Sequence, residues 1–188
     1  MHVDIASLVD KKPKPRVIKT QDGIMNFLDD ICNNAESLYT TRSRKFDFDP
    51  DIEYTNNETL IKDIASAISD TYQDQNDTAR QSFWCIDSDK NKYAYTNQYQ
   101  QWCIDPSGFE MMFNIINPAL YKVQIALKNK MSKDVLKFLN TTSTQKLVLA
   151  ELNKYCMFDM NKMIDCKRTN KTITCQEYND KDKDNDNQ

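Results

Sequence analysis

The sequence predicts a mostly α fold, formally α+β: five to six amphipathic helices around one core, a small central β-hairpin and a C-terminal β-hairpin. Three observations lead there. Glycine is nearly absent, with only Gly23 and Gly108 in 188 residues, where average usage of about 7% would supply roughly a dozen. Glycine provides positive-φ turns and bulges, which helices need least. Apolar residues recur at i, i+3, i+4, i+7 spacing through several long segments. Two stretches with strand composition each flank a short polar turn.

Residues 1–19 read as an extended basic arm. Lys11-Lys12-Pro13-Lys14-Pro15-Arg16 places prolines where they fix φ and disfavour a helix in the residue before them. A single globular domain is expected over 20–178, the size of one ordinary domain. Residues 179–188 alternate Asp, Lys and Asn without apolar content and are expected to be a disordered tail.

Within the domain, residues 20–39 carry Ile24, Phe27, Leu28, Ile31, Ala35, Leu38 and Tyr39 at helical spacing, and Thr20 can cap the start. Charge and Pro50 break the pattern over 41–50. A capping box, Thr55-Asn56-Asn57-Glu58, opens a second helix with Leu60, Ile61, Ile64, Ala65, Ile68 and Tyr72 on one face. Residues 83–87 and 93–96 form the central hairpin around Ser88-Asp89-Lys90-Asn91. Trp-Cys-Ile-Asp then recurs at 102–105, too short a repeat to imply a solenoid.

Asp105-Pro106 reads as a helix start, a cap followed by proline. Phe109, Met111, Met112, Phe113, Ile115 and Ile116 make the following helix apolar nearly all round, which predicts a central position. Asn117-Pro118 repeats the cap-and-proline start and predicts a kink or a new helix. Ser132 caps a short helix, and a last one is expected over 143–158. Strands at 163–169 and 172–178 would flank Asn170-Lys171 as the terminal hairpin.

The composition excludes several chemistries. The one histidine, His2, stands at the terminus, so histidine-based catalysis and mixed Cys/His zinc sites are not expected. Two glycines cannot build G-x-G-x-x-G or a Walker A loop. A formal net charge of -3 makes no case for nucleic acid. No run of 18 apolar residues suggests a membrane span, and residues 1–20 lack the apolar stretch of a secretory signal.

The six cysteines contain no C-x-x-C pair. If Asn170-Lys171 is a two-residue turn, Cys166 faces Cys175 at a non-hydrogen-bonded position, where a disulfide can close. A second bridge, Cys85 to Cys103, is a candidate across the aromatic segment. Asp87, Asp89 and Asn91 match the first half of a calcium loop, but Lys92 stands at its glycine position and Gln98 at its bidentate acid, so a solvated turn is the stronger expectation. Trp84, Tyr93, Tyr95, Tyr99 and Trp102 cluster as in a protein interface, or as the core of a small hairpin subdomain. The sequons at Asn57, Asn76, Asn140 and Asn170 occur at about the frequency chance would give.

The expected function is a non-catalytic structural or interaction subunit of a larger assembly, viral or cell-surface, stabilised by disulfides. Its partners would be other protein subunits, without nucleic acid or a cofactor. An oxidising compartment, virion or cell surface is favoured over cytoplasm. A secreted or host-directed binding module, and an enzyme using carboxylates or a thiol, stand as the alternatives.

Overall fold

The computed structural model describes residues 20–51, 55–73 and 77–160. Thr20 accepts the Gly23 N–H at 3.2 Å and starts α1 (Gln21–Ile31). This helix stops well short of residue 39. Cys32 ends it, Asn33 and Asn34 turn the chain, and Ser37 accepts the Thr40 N–H at 3.1 Å to restart a short α2 (Leu38–Thr41). Asn and Ser side chains compete for backbone groups and favour such breaks. In α3 (Asn57–Tyr72) the cap is Asn56, one residue later than the predicted capping box, and Glu58 pairs with Lys62.

The central hairpin is larger than predicted. β1 (Phe83–Asp87), β2 (Lys92–Thr96) and β3 (Trp102–Asp105) form an antiparallel meander in the order β1-β2-β3, so the second Trp-Cys-Ile-Asp is a strand. Two cross-strand rows, Phe83-Tyr95-Cys103 and Cys85-Tyr93-Asp105, share one face. Trp84, Ala94 and Ile104 occupy the other, as the two-residue strand period requires. Where glycine would serve in a turn, Asn91 and Gln100 take positive φ instead.

Each face of the sheet is covered. Phe83, Cys85 and Tyr93 pack into the main core with α3 and the later helices. Trp84, Ala94 and Trp102 pack against Ile24 and Leu28 of α1. The outer edge of β1 is also closed: Cys85 N–H donates to Cys156 O at 2.8 Å, and Phe158 N–H donates to Cys85 O at 2.9 Å.

The helix expected to begin at Asp105-Pro106 begins later. Asp105 ends β3 and is buried, and its carboxylate accepts the N–H groups of Ser107, Phe109, Glu110 and Met111 at 2.8–3.4 Å. Gly108, at φ 72°, precedes α4 (Phe109–Met111). A π segment (Met112–Ile116) runs directly into α5 (Asn117–Leu127). Asn117 therefore does not open a separate helix. Its N–H reaches back five residues to Met112 O, and Pro118 sits in the next turn.

Ser132 and Thr141 cap α6 (Lys133–Leu139) and α7 (Thr142–Leu152). The last helix ends six residues earlier than predicted, because residues 156–158 extend along β1. α3 packs broadly on α7. Counting α4, the π segment and α5 as one, the described residues hold six helices and one small sheet, the predicted α+β class. Among the described residues no helix is long and apolar enough to cross a membrane. The predicted arm, terminal hairpin and tail lie outside the described residues, and so do Cys166 and Cys175.

Candidate interaction surface

The aromatic cluster does not form a surface. Trp84, Tyr93 and Trp102 are buried, and Tyr95 is half-buried. Alternating strand residues point to opposite faces, and both faces are covered, so aromatics close in sequence are divided between two cores. Trp84 meets Phe158 edge-on, with ring centroids 6.2 Å apart. The Trp102 indole donates to Cys32 O at 3.4 Å. Tyr99 alone of the five is exposed, 73%, on the turn between β2 and β3.

The second disulfide candidate does not form. Cys85 and Cys103, like Cys32 and Cys156, are thiols. Cys85 lies on β1 and Cys103 on β3, with β2 between them. Two strand spacings of about 4.8 Å each exceed the Cα separation a disulfide spans. Cys85 lies instead beside Cys156. Burial pushes the Cys85 thiol up to about 11. Burial, reinforced by the neighbouring Cys85, pushes Cys156 up to about 12.

The calcium half-motif folds as a turn. Asp87 accepts the Lys90 N–H at 3.2 Å and meets its ammonium at 3.4 Å. Desolvation raises the Asp87 pKa, but the Lys90 contacts prevail and hold the carboxyl below its usual value. Asn91 Oδ1 accepts from Asn153 Nδ2 at 2.8 Å. Asp89 is exposed. Among the described residues no three His, Cys, Asp or Glu side chains converge as a metal site. The Asn57 and Asn140 sequons are exposed, and Asn76 and Asn170 lie outside the described residues.

A shallow groove of about 540 Å³ opens between α3 and α7. Ile61, Phe138, Leu147 and Ala150 line it, and its rim charges pair as Glu58–Lys62 and Glu151–Lys154. Each pair neutralises itself, so the rim offers little net field to a charged ligand.

The most unusual surface lies on the helix predicted to be central. Met111, Ile115, Ile116, Ala119, Val123 and Leu127 do face the core. On the opposite side, Phe109, Phe113, Tyr121 and Ile125 stand in solvent, 60%, 60%, 66% and 59% exposed. The Phe109 and Phe113 rings lie nearly parallel, 6.2 Å between centroids. Steps of four residues drift by about 40° in an α-helix, and the wider π turn counters that drift, which keeps the later pair in line with the first.

The π turn is fixed from inside the domain. Asn114 is buried at its centre. Its Oδ1 accepts from Arg42 Nη1 at 2.9 Å, and its Nδ2 donates to Glu110 O at 3.0 Å and to Glu110 Oε2 at 2.8 Å. The arrangement can hold a second apolar surface; no reactive pair stands beside it among the described residues. With aromatic side chains offering about 150–250 Å² each, the four residues leave on the order of 450 Å² of apolar area uncovered, within the range of about 300–600 Å² for the largest patch on an ordinary monomer, a patch that is often functional. The signal in the sequence was the helix's excess of apolar residues over what one buried face holds.

The chain matches no protein-family model, no curated protein and no solved structure.

Proposed function

We propose that the chain is a non-catalytic interaction subunit of a larger assembly, and that it binds its partner through Phe109, Phe113, Tyr121 and Ile125. The single observation carrying this reading is that line of four large apolar side chains, each more than half exposed, on one side of a continuous helix. Aromatic residues on a rigid helical face are the usual anchors of binding energy. The π turn adds support, since such turns recur at functional sites. The non-catalytic half of the reading draws support from the thiols: Cys85 and Cys156 are buried and held protonated at neutral pH, the reverse of an activated nucleophile.

The test is a photo-reactive amino acid at position 113, with position 134 on the exposed side of α6 as control, in the full chain expressed in its source cells. Adducts are expected at 113 and not at 134. No adduct at 113, or equal labelling at both positions, overturns the reading.

A further inference from the structure

We infer that the helix holding the π turn has two registers one residue apart, and that the Arg42–Asn114 hydrogen bond keeps it in the one that displays Phe109 and Phe113. The consequence for binding rests on the interaction-subunit reading above.

The sequence makes the core indifferent to such a slip. Met111-Met112 and Ile115-Ile116 are doublets four residues apart. A π turn closes on i→i+5 bonds and so holds one residue more than an α turn. Tightening it to an α turn moves each residue before it into the place of its predecessor. Met112 then takes the buried place of Met111, and Ile116 takes that of Ile115, so the core keeps the same kinds of side chain. Asn117 N–H, which reaches Met112 O in the π turn, bonds Phe113 O in the slipped register. The spare residue passes to the link before the helix, where Gly108 already holds a left-handed turn.

The surface is not indifferent. Glu110 takes the place of Phe109, and Asn114 takes that of Phe113. At about 100° per residue, the slip turns both rings roughly 100° away from Tyr121 and Ile125. Phe113 enters the half-buried place of Met112. The line of four apolar side chains becomes two polar and two apolar ones. Withdrawal of the rings from water and the regular α ladder both favour the slipped register.

A buried polar latch opposes it. Asn114 is 1% exposed, accepts from Arg42 Nη1 at 2.9 Å and donates to Glu110 Oε2 at 2.8 Å. Arg42 comes from the end of α2, outside this helix, and its guanidinium lies 5.1 Å over the Tyr39 ring. Without Arg42 the Asn114 oxygen is buried and loses that donor, whereas the slip returns the amide to water. Two packings of nearly equal core, biased by one contact, are the makings of a conformational switch.

The methionines report the register. The full chain is labelled with 13C-methyl methionine, and its methyl signals are followed as a soluble nitroxide is added. In the wild type the Met111 methyl should be protected and the Met112 methyl broadened; in the slipped register the two exchange behaviour. Arg42→Ala should move the ratio of registers about 5- to 150-fold toward the slipped one, the effect of one buried acceptor left unpaired, and Arg42→Lys, which keeps a donor, should restore it. Asn114→Lys places a charge that only the slipped register returns to water, so it should fold, by circular dichroism, with Met111 exposed. An unfolded Asn114→Lys protein, or one with Met111 still protected, overturns the second register. Wild-type methyl behaviour in Arg42→Ala overturns the latch. The methyl signals need no partner, so this inference fails separately from the interaction reading: loss of the photo-adduct at 113 in Arg42→Ala joins the two, whereas no adduct in the wild type removes only the interaction subunit.

Discussion

The Tyr93 hydroxyl donates to Asn153 Oδ1 inside the core and so ties the middle strand to the end of the last helix. Asn153 Nδ2 in turn donates to Asn91 Oδ1 at 2.8 Å and to Ser88 O at 3.4 Å. One buried amide thus holds β2, the turn before it and the end of α7.

Removing either partner leaves buried polar atoms unsatisfied, which costs about 1–3 kcal/mol each. Tyr93→Phe is expected to lose stability in that range. Asn153→Ala should lose more, because it abandons both the phenol and the turn. Urea denaturation measures both. An Asn153→Ala protein as stable as the wild type would show that the amide does not fasten the turn.

Asp105 fastens the other junction. Its carboxylate gathers four backbone N–H groups across the step from β3 to α4. Asp105→Ala removes all four acceptor contacts and is expected to cost about 2–3 kcal/mol, more than an ordinary cap. Asp105→Asn keeps one oxygen and should cost roughly half as much. Equal losses for the two variants would mean that the charge, not the number of acceptors, governs this junction.

Gly108 is one of the two glycines, and its position requires one. At φ 72° an added Cβ would lie 2.7 Å from Leu149 Cδ2 and 3.2 Å from Asn91 O. Left-handed backbone costs a side-chain-bearing residue about 1–2 kcal/mol, and the crowding adds to that. Gly108→Ala is therefore expected to lower thermal stability by several degrees, read by calorimetry. Asn91 already tolerates positive φ elsewhere in the chain, so Gly108→Asn would separate the two effects: the strain falls and the clash remains.

The fold was largely legible because the helices follow simple rules. Thr20, Ser132 and the apolar face of α3 behave as their spacing demands. The third strand was not legible, although Trp102-Cys103-Ile104-Asp105 repeats the composition of β1. Four residues carry too little periodicity, and the pairing partner that makes them a strand is supplied by Tyr93 to Thr96. The aromatic cluster at residues 84–102 admitted two readings, an interface or the core of a small hairpin subdomain, and four of its five rings lie wholly or partly in the core. Aromatic density in the sequence cannot say how many faces of a sheet are covered. A helix apolar all round reads as buried, yet only the fold shows that one side of it is left exposed, with no neighbour among the described residues.

The buried thiols set the behaviour at alkaline pH. Cys85 and Cys156 have an ordinary value of 9.0, raised to about 11 and about 12 by burial, and burial also pushes the Tyr93 phenol well above 10.0. A folded value above the unfolded one means that the folded state resists deprotonation. This contribution is fully present below about pH 9 and is lost as pH rises through the folded values. The urea midpoint should therefore fall above about pH 9. Replacing Cys156 with alanine should flatten the fall by up to about 1.4 kcal/mol per pH unit, the limit for one proton. The same burial predicts reactivity. Cys103, partly exposed, should react with a thiol reagent in the native protein at neutral pH, while Cys85 and Cys156 react only on unfolding. Rapid native labelling of Cys156, or an alanine variant with the wild-type alkaline slope, would count against a buried and protonated pair.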